Sequence, residues 1–227
     1  MTPRTFVPLV VALLVVLAGC VGGAPADSGT ATTTEAPTTE PGQTTAATGD
    51  DDGMESGEWA LFDFDKPATY TYDVYIRDEG EGTLVWDVQS IDGDRATVRV
   101  VYEMAGERFE STMTGDKDTV TSQLFATPAG LVLVTTMFTP AAWYAGQELQ
   151  VGNQWAYQTP KGSASFAVTG TDTIAGVDCF TTEMRVNGTV VHEAAVSPAL
   201  GLAPHAAYYD EDGTLEMELR LVSYEAH

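Results

Sequence analysis

Beyond Trp59 the apolar side chains recur at every second position and are interrupted by turn residues every eight to twelve, a rhythm that extended strands bury on one face. Tyr70, Tyr72, Val74 and Ile76 set it, and Leu84, Trp86 and Val88 repeat it after Gly80-Glu81-Gly82. Turn sequences then come in series. Asp92-Gly93-Asp94 leads into 96–104, Ala105-Gly106 into 108–114, and Gly115-Asp116-Lys117-Asp118 into 119–126. Residues 131–138 are densely apolar with Thr135 and Thr136 inside, which predicts a strand buried on both faces. Further strands are predicted over 154–159, 163–171, 177–186, 189–196, 203–209 and 214–224. Asn187-Gly188 and Asp212-Gly213 predict type I′ hairpins, because both central positions of that turn need positive φ.

Helix signals are few. Thr139-Pro140, the stretch 141–145 and Gly146 supply the cap, first-turn proline and terminal glycine of one short helix. Ser197-Pro198 with Gly201 offers at most one turn. The expected fold is therefore all-β. It is a single antiparallel meander of about ten or eleven strands, curled into a barrel or half-barrel or alternatively folded into a sandwich, with one or two short helical turns. A flat sheet that wide would leave a face and two edges to water. Residues 58–227 suffice for one core and are expected to form one domain.

Upstream the composition changes. Residues 20–57 are rich in Thr, Ala, Pro, Gly and acid, hold nine threonines between Thr30 and Thr48, and contain no aromatic residue, so they are expected to remain a disordered stalk. Ahead of them, Arg4 and the thirteen mostly apolar residues 6–18 have the size of a signal-peptide core, making 1–19 a signal peptide. As a helix that run would reach only ~20 Å, short of the ~30 Å of a hydrocarbon core. Leu17-Ala18-Gly19-Cys20 closes it and resembles a lipobox, which implies cleavage before Cys20 and a lipid on its thiol. Two lipid chains anchor a protein stably where one is marginal. The expected location is the extracellular face of the cell membrane, with the domain held clear of it by the stalk.

Charge excludes one class of partner. Beyond residue 56 there are 26 acidic against 9 basic residues, and the whole chain carries −23, so a nucleic-acid phosphate backbone would be repelled. The acidic bias, the lysines limited to Lys66, Lys117 and Lys161 in that region, and the lipobox together resemble cell-surface lipoproteins of halophilic archaea. That resemblance implies a surface suited to brine.

A second resemblance lies in the C-terminal half. Gly152-Asn153-Gln154-Trp155-Ala156-Tyr157, Gly176-Val177-Asp178-Cys179, Ser197-Pro198 with Gly201-Leu202, and Asp212-Gly213 are similar to the pattern of secreted lipoproteins related to the LolA and LppX carriers, over residues 151–224. Those carriers wrap a curved antiparallel sheet around an apolar cavity. The resemblance implies a hydrophobic or lipid-like ligand.

The remaining site signals are sparse. His192-Glu193 lacks the second histidine of a zinc-protease helix, and only His205 and His227 accompany it, so no metal site and no cofactor are expected. Asp210-Glu211-Asp212-Gly213 with Glu216 reads as a solvated acidic turn in place of a calcium loop. Cys179 reads as a small buried hydrophobe. Asn187-Gly188-Thr189 is a sequon at an expected hairpin tip, a possible N-glycan site. Trp86, Trp143, Tyr144, Trp155 and Tyr157 read as core, with Trp143 and Tyr144 singled out as an apolar ligand or partner patch should they lie exposed. The expectation is a non-enzymatic, membrane-anchored lipoprotein that binds a hydrophobic ligand, or alternatively a structural or protein-interaction module of the envelope.

The acidic surface makes one measurement decisive. Dilution from molar to millimolar salt lengthens the Debye screening length from about 3 Å towards 30 Å or so, and like-charge repulsion then unfolds the domain. Far-ultraviolet circular dichroism across that dilution is expected to lose its strand signal.

Overall fold

Alternate residues of the long strands are buried and exposed in turn, and that alternation lines one face of a single wide sheet with apolar side chains. The computed structural model describes residues 57–59, 62–159 and 162–227. The expected signal peptide 1–19, the lipid-bearing Cys20 and the stalk as far as residue 56 lie outside the described residues. The strands are β1 (Gly57–Glu58), β2 (Ala68–Ile76), β3 (Gly80–Asp92), β4 (Arg95–Met104), β5 (Glu107–Asp116), β6 (Glu148–Leu149), β7 (Gln154–Thr159), β8 (Gly162–Ile174), β9 (Val177–Val186), β10 (Thr189–Ser197), β11 (Leu202–Tyr209) and β12 (Leu215–Ala226).

Ten strands form one antiparallel sheet in the order β5-β4-β3-β2-β12-β11-β10-β9-β8-β7, while β1 and β6 form a two-residue pair of their own. The sheet is open and curled, as the half-barrel expectation required. It consists of two meanders, β2 to β5 and β7 to β12, joined where β12 pairs with β2 from Met217↔Ile76 to Ala226↔Ala68. That junction places β5 and β7 at opposite edges, so the chain must travel from one edge to the other. It does so through α1 (Lys117–Phe125), α2 (Gly130–Met137) and α3 (Thr139–Tyr144), with α1 packed on β4 and β5, and α2 and α3 on β11.

Two expected strands are thus helices. In 119–126 the buried residues are Val120 and Leu124, four apart on one helical face, and the hydroxyls of Thr121 and Ser122 donate to the carbonyls of Lys117 and Asp118. Residues 131–138 become α2, buried on several sides at Val132, Leu133, Thr135, Thr136 and Met137. The segment is apolar on its exposed side as well, at Leu131 and Phe138, so it has no period to betray its type, and its threonines satisfy themselves by bonding the carbonyls of Val132 and Leu133 at 2.7 and 3.1 Å. Gly130 lets α1 and α2 meet closely: a Cβ there would lie 2.2 Å from the Phe125 carbonyl oxygen. The short helix expected over 140–145 is present as α3.

Beneath α1 and α2 lies the larger core, in which Tyr70 stacks on Trp86 at 4.5 Å among Leu84, Val98, Leu124 and Leu133. Cys179 is fully buried there, and burial pushes its thiol up to about 12, so it stays protonated.

The hairpins also depart from expectation at one point. Asn187 and Gly188 have φ of 51° and 88°, as a type I′ turn demands. At Asp212-Gly213 only Gly213 has positive φ. The Asp210 carboxylate instead accepts the backbone N–H groups of Asp212 and Thr214 at 2.9 and 2.8 Å and organises a longer loop. The type I′ geometry appears at Ala105-Gly106 and Ala175-Gly176, where the alanines hold φ of 53° and 50°. An L side chain with a Cβ is strained in that region by roughly 1 kcal/mol, whereas asparagine tolerates it. Ala105→Asn and Ala175→Asn are each expected to stabilise the domain by about 0.5–1 kcal/mol, read as a higher denaturant midpoint with unchanged slope at fixed molar salt.

Candidate functional site

A second, smaller core sits under α3, and a connected network of rings runs through it. Trp59 meets Tyr144 at 5.8 Å, Tyr144 meets Trp155 at 5.9 Å, and Trp155 stacks on Phe166 at 5.5 Å. Phe166 meets Trp143 at 5.7 Å, Trp143 meets His192 at 4.7 Å, and His192 meets Tyr208 at 4.5 Å. Leu149, Val168, Phe180, Met184, Ala194, Val196, Ala203 and Ala206 complete the cluster. The two aromatic residues singled out from the sequence are therefore here, but not as an exposed patch: Trp143 is 9% and Tyr144 1% exposed. The reason is topological. The crossing chain lays α3 against the inner face, so its rings point at the sheet.

Each element has an identifiable anchor. Strand β10 turns His192, Ala194 and Val196 inward and Glu193 outward, where Glu193 accepts a hydrogen bond from the Tyr209 hydroxyl at 2.7 Å. The Tyr144 hydroxyl lies 2.7 Å from the Thr182 hydroxyl and fixes α3 to β9, and burial raises its pKa to about 12. Trp59 arrives from the opposite direction, held by the β1–β6 pair at Gly57↔Leu149 and Glu58↔Glu148.

Polar atoms within this apolar layer lack partners. Trp59 Nε1, Trp155 Nε1 and His192 Nδ1 are buried and make no hydrogen bond. The Tyr208 hydroxyl faces the Thr139 side chain without completing a bond of normal geometry. An unsatisfied buried polar group costs about 1–3 kcal/mol, so their gathering on one ring network is a sizeable local cost. A hollow of about 400 Å³ by Gln154, Ala156, Ser165, Ala167, Glu183 and Arg185 is open to solvent on the outer face of β7 to β9.

The remaining sequence candidates are dispersed. Asn187 is exposed at the β9–β10 turn, and its side-chain oxygen accepts the Ser163 N–H at 3.0 Å. His205 bonds Glu218 at 2.9 Å and His227 bonds Thr69 at 2.9 Å. Among the described residues no group of three or more His, Cys, Asp or Glu side chains is gathered to hold a metal ion. The acidic loop is partly neutralised by Arg77, which pairs with Asp210 at 3.2 Å and with Glu216. The Thr214 N–H, then that of Asp212, with Arg77 adding, hold the Asp210 carboxyl below its usual range.

The sequence matches no family model and, at a significant level, no curated protein. Among solved structures the strand pattern is similar to that of MucB in the MucA/MucB complex of Pseudomonas aeruginosa. The identity is 14%, the TM-score 0.43, and 71% of this chain and 52% of that one are covered. It is also similar to the hypothetical lipoprotein YmcC of Escherichia coli, at 12% identity and a TM-score of 0.27, covering 69% and 84%. An outer-membrane lipoprotein-sorting protein domain of Vibrio parahaemolyticus matches at 9% identity and a TM-score of 0.21, covering 73% and 86%. The chain spans about half the length of the MucB structures. Identities and scores this low leave function to be argued from the chain's own residues.

His192 gives the site a pH signature. Burial, with His205 repelling the cation further, lowers its pKa to about 3, against 6.5 for a free histidine. Between those values the unfolded chain takes a proton that the native chain refuses. The contribution is whole above pH 6.5 and is lost on acidification by up to about 1.4 kcal/mol per pH unit until pH 3. Urea midpoints at molar salt are expected to fall from pH 6.5 to 5, and His192→Phe to flatten that slope.

Proposed function

We propose that this chain is a non-enzymatic, membrane-tethered protein of the cell envelope. Its β-domain takes an amphipathic, lipid-like molecule into the aromatic layer beneath α3. The observation that carries the reading is the coincidence of an apolar ring network with the unpartnered polar atoms Trp59 Nε1, Trp155 Nε1 and His192 Nδ1. Indole N–H groups only donate, so the complementary ligand offers neutral oxygen acceptors on an apolar body. A carboxylate would meet the repulsion of a chain carrying −23.

The cover over this layer is thin: a six-residue helix and an arm fastened by a two-residue strand pair. Elements with so few backbone bonds open at low free-energy cost, which suits entry into a closed interior. In this reading Cys20 carries the lipid anchor after removal of 1–19. Residues 20–57 are the stalk, 58–227 the binding domain, and Asn187 a glycan acceptor at the exposed β9–β10 turn. Among the described residues no helix is long and apolar enough to cross a membrane. The burial of Trp143 and Tyr144 in the core favours a second reading, a docking module of the envelope with no small ligand.

Native mass spectrometry of the full chain, released from membranes in mild detergent, separates the two. The expected spectrum contains the chain plus one lipid-sized molecule, at a chain mass lacking residues 1–19. Three of the four tryptophans belong to the layer, so stripping that molecule is expected to shift intrinsic fluorescence. The adduct is expected to be absent in Trp143→Ala and retained in Trp86→Phe. Ligand-free spectra with an unresponsive fluorescence favour the docking module.

A further inference from the structure

The two edges of the sheet differ in charge. Edge strand β5 carries Glu107, Arg108, Glu110 and Asp116, the kind of guard that keeps an exposed edge from pairing. Edge strand β7 reads Gln154-Trp155-Ala156-Tyr157-Gln158-Thr159. It has no charged residue, no proline and no register shift against β8. In a chain of net charge −23 that is six consecutive neutral positions on a strand that, among the described residues, has a neighbour on one side only.

The hydrogen-bond phase of this edge follows from one bond. The Val168 N–H donates to the Asn153 carbonyl at 2.9 Å, and the register then runs unbroken from Gln154↔Ala167 to Thr159↔Gly162. Trp155 and Tyr157 therefore exchange their backbone bonds with β8, while the N–H and C=O groups of Gln154, Ala156 and Gln158 point away from it. All three of those residues are exposed, and so is Tyr157, at 51%.

We infer that β7 is a self-association edge, on which a second copy of this chain adds antiparallel about a two-fold axis through Ala156. That register sets Ala156 opposite its own counterpart and Gln154 opposite the partner's Gln158, so every outward backbone group is matched. Trp155 falls opposite the partner's Tyr157, an aromatic cross-strand pair of the kind that stabilises a sheet. The occupant is a second copy on grounds of charge. Two such acidic chains repel wherever carboxylates meet, whereas here the opposed side chains are Gln, Trp, Ala and Tyr. The interface is self-complementary, as a two-fold contact must be. Copies tethered to one membrane meet at a raised effective concentration, so five paired residues a side suffice. The inference is independent of any ligand beneath α3.

Cysteine cross-linking and sedimentation of the full chain in mild detergent at molar salt test it. Ala156→Cys places two thiols across the axis and is expected to give at least tenfold more oxidised dimer than Val222→Cys, another exposed site, on β12. Ala156→Pro removes an outward N–H without touching the bonds to β8, and is expected to weaken self-association at least tenfold with unchanged circular dichroism. Dimers that persist in Ala156→Pro, cross-linking no greater than at Val222→Cys, or a chain that is monomeric at every concentration would each overturn the proposal. So would a complex with a different envelope protein that Ala156→Pro abolishes while no self-association is found.

Discussion

The pairing of β2 with β12 is the constraint on which the rest of the structure depends. It joins the first and last long strands at the middle of the sheet and drives β5 and β7 to opposite edges. A ten-stranded sheet with an apolar inner face must be covered or closed, and this one stays open. The chain that runs from edge to edge supplies the cover, because no other described segment of comparable length is free to do so. Helices α1 to α3 thus exist where they do because strand order leaves a face to be buried. Their propensity to be helical is secondary, which is the usual balance for short helices.

That dependence explains what could be read in the sequence. Period-two alternation marks β2, β3 and β4 because half of each strand faces the core and half faces water, and Asn187-Gly188 announces its turn through local sterics. Nothing local announces α2. A run buried by tertiary contacts on several sides looks the same whether it is strand or helix, and Thr135 and Thr136 bias the reading towards strand. Val120 and Leu124 did carry a helical spacing, drowned by the threonines around them. Trp143 and Tyr144 were recognisable as aromatic candidates, but their burial depends on the crossing. His192 had a usable signal, since it shares inward parity with Ala194 and Val196 and is the titratable member of that set. Trp59 had none, for its position follows from a two-residue pair with β6, ninety residues away.

Electrostatics follows the same division between what is local and what is not. Arg77, Arg99, Arg108 and Arg185 each pair with a neighbouring carboxylate on the surface. Exposed pairs of this sort add little to stability, so they serve mainly to relieve clusters such as Asp210 with Glu216. The acidic excess that remains must be tolerated by screening. A neutral strand in such a surface is then informative by contrast. Charges guard β5 although its ten residues would make the more adhesive template by length, and no charge guards β7.

The two cores also divide the work of the domain. The larger one is sealed by α1 and α2, with fully buried Leu84, Trp86, Val98 and Leu124 packed against one another. The smaller one concentrates rings and unpartnered nitrogens beneath the weakest cover, and keeps a neutral imidazole at its centre. A fold selected for stability alone would replace His192 by an aliphatic residue and so remove both an orphan atom and a pH-dependent loss. Retaining it beside Trp143 and Tyr208 makes sense where the layer exchanges its own contacts for those of a guest, because unsatisfied groups that cost free energy in the closed state return it when a partner arrives. Local destabilisation of this kind belongs at binding sites, and the larger core has the cohesion to tolerate it.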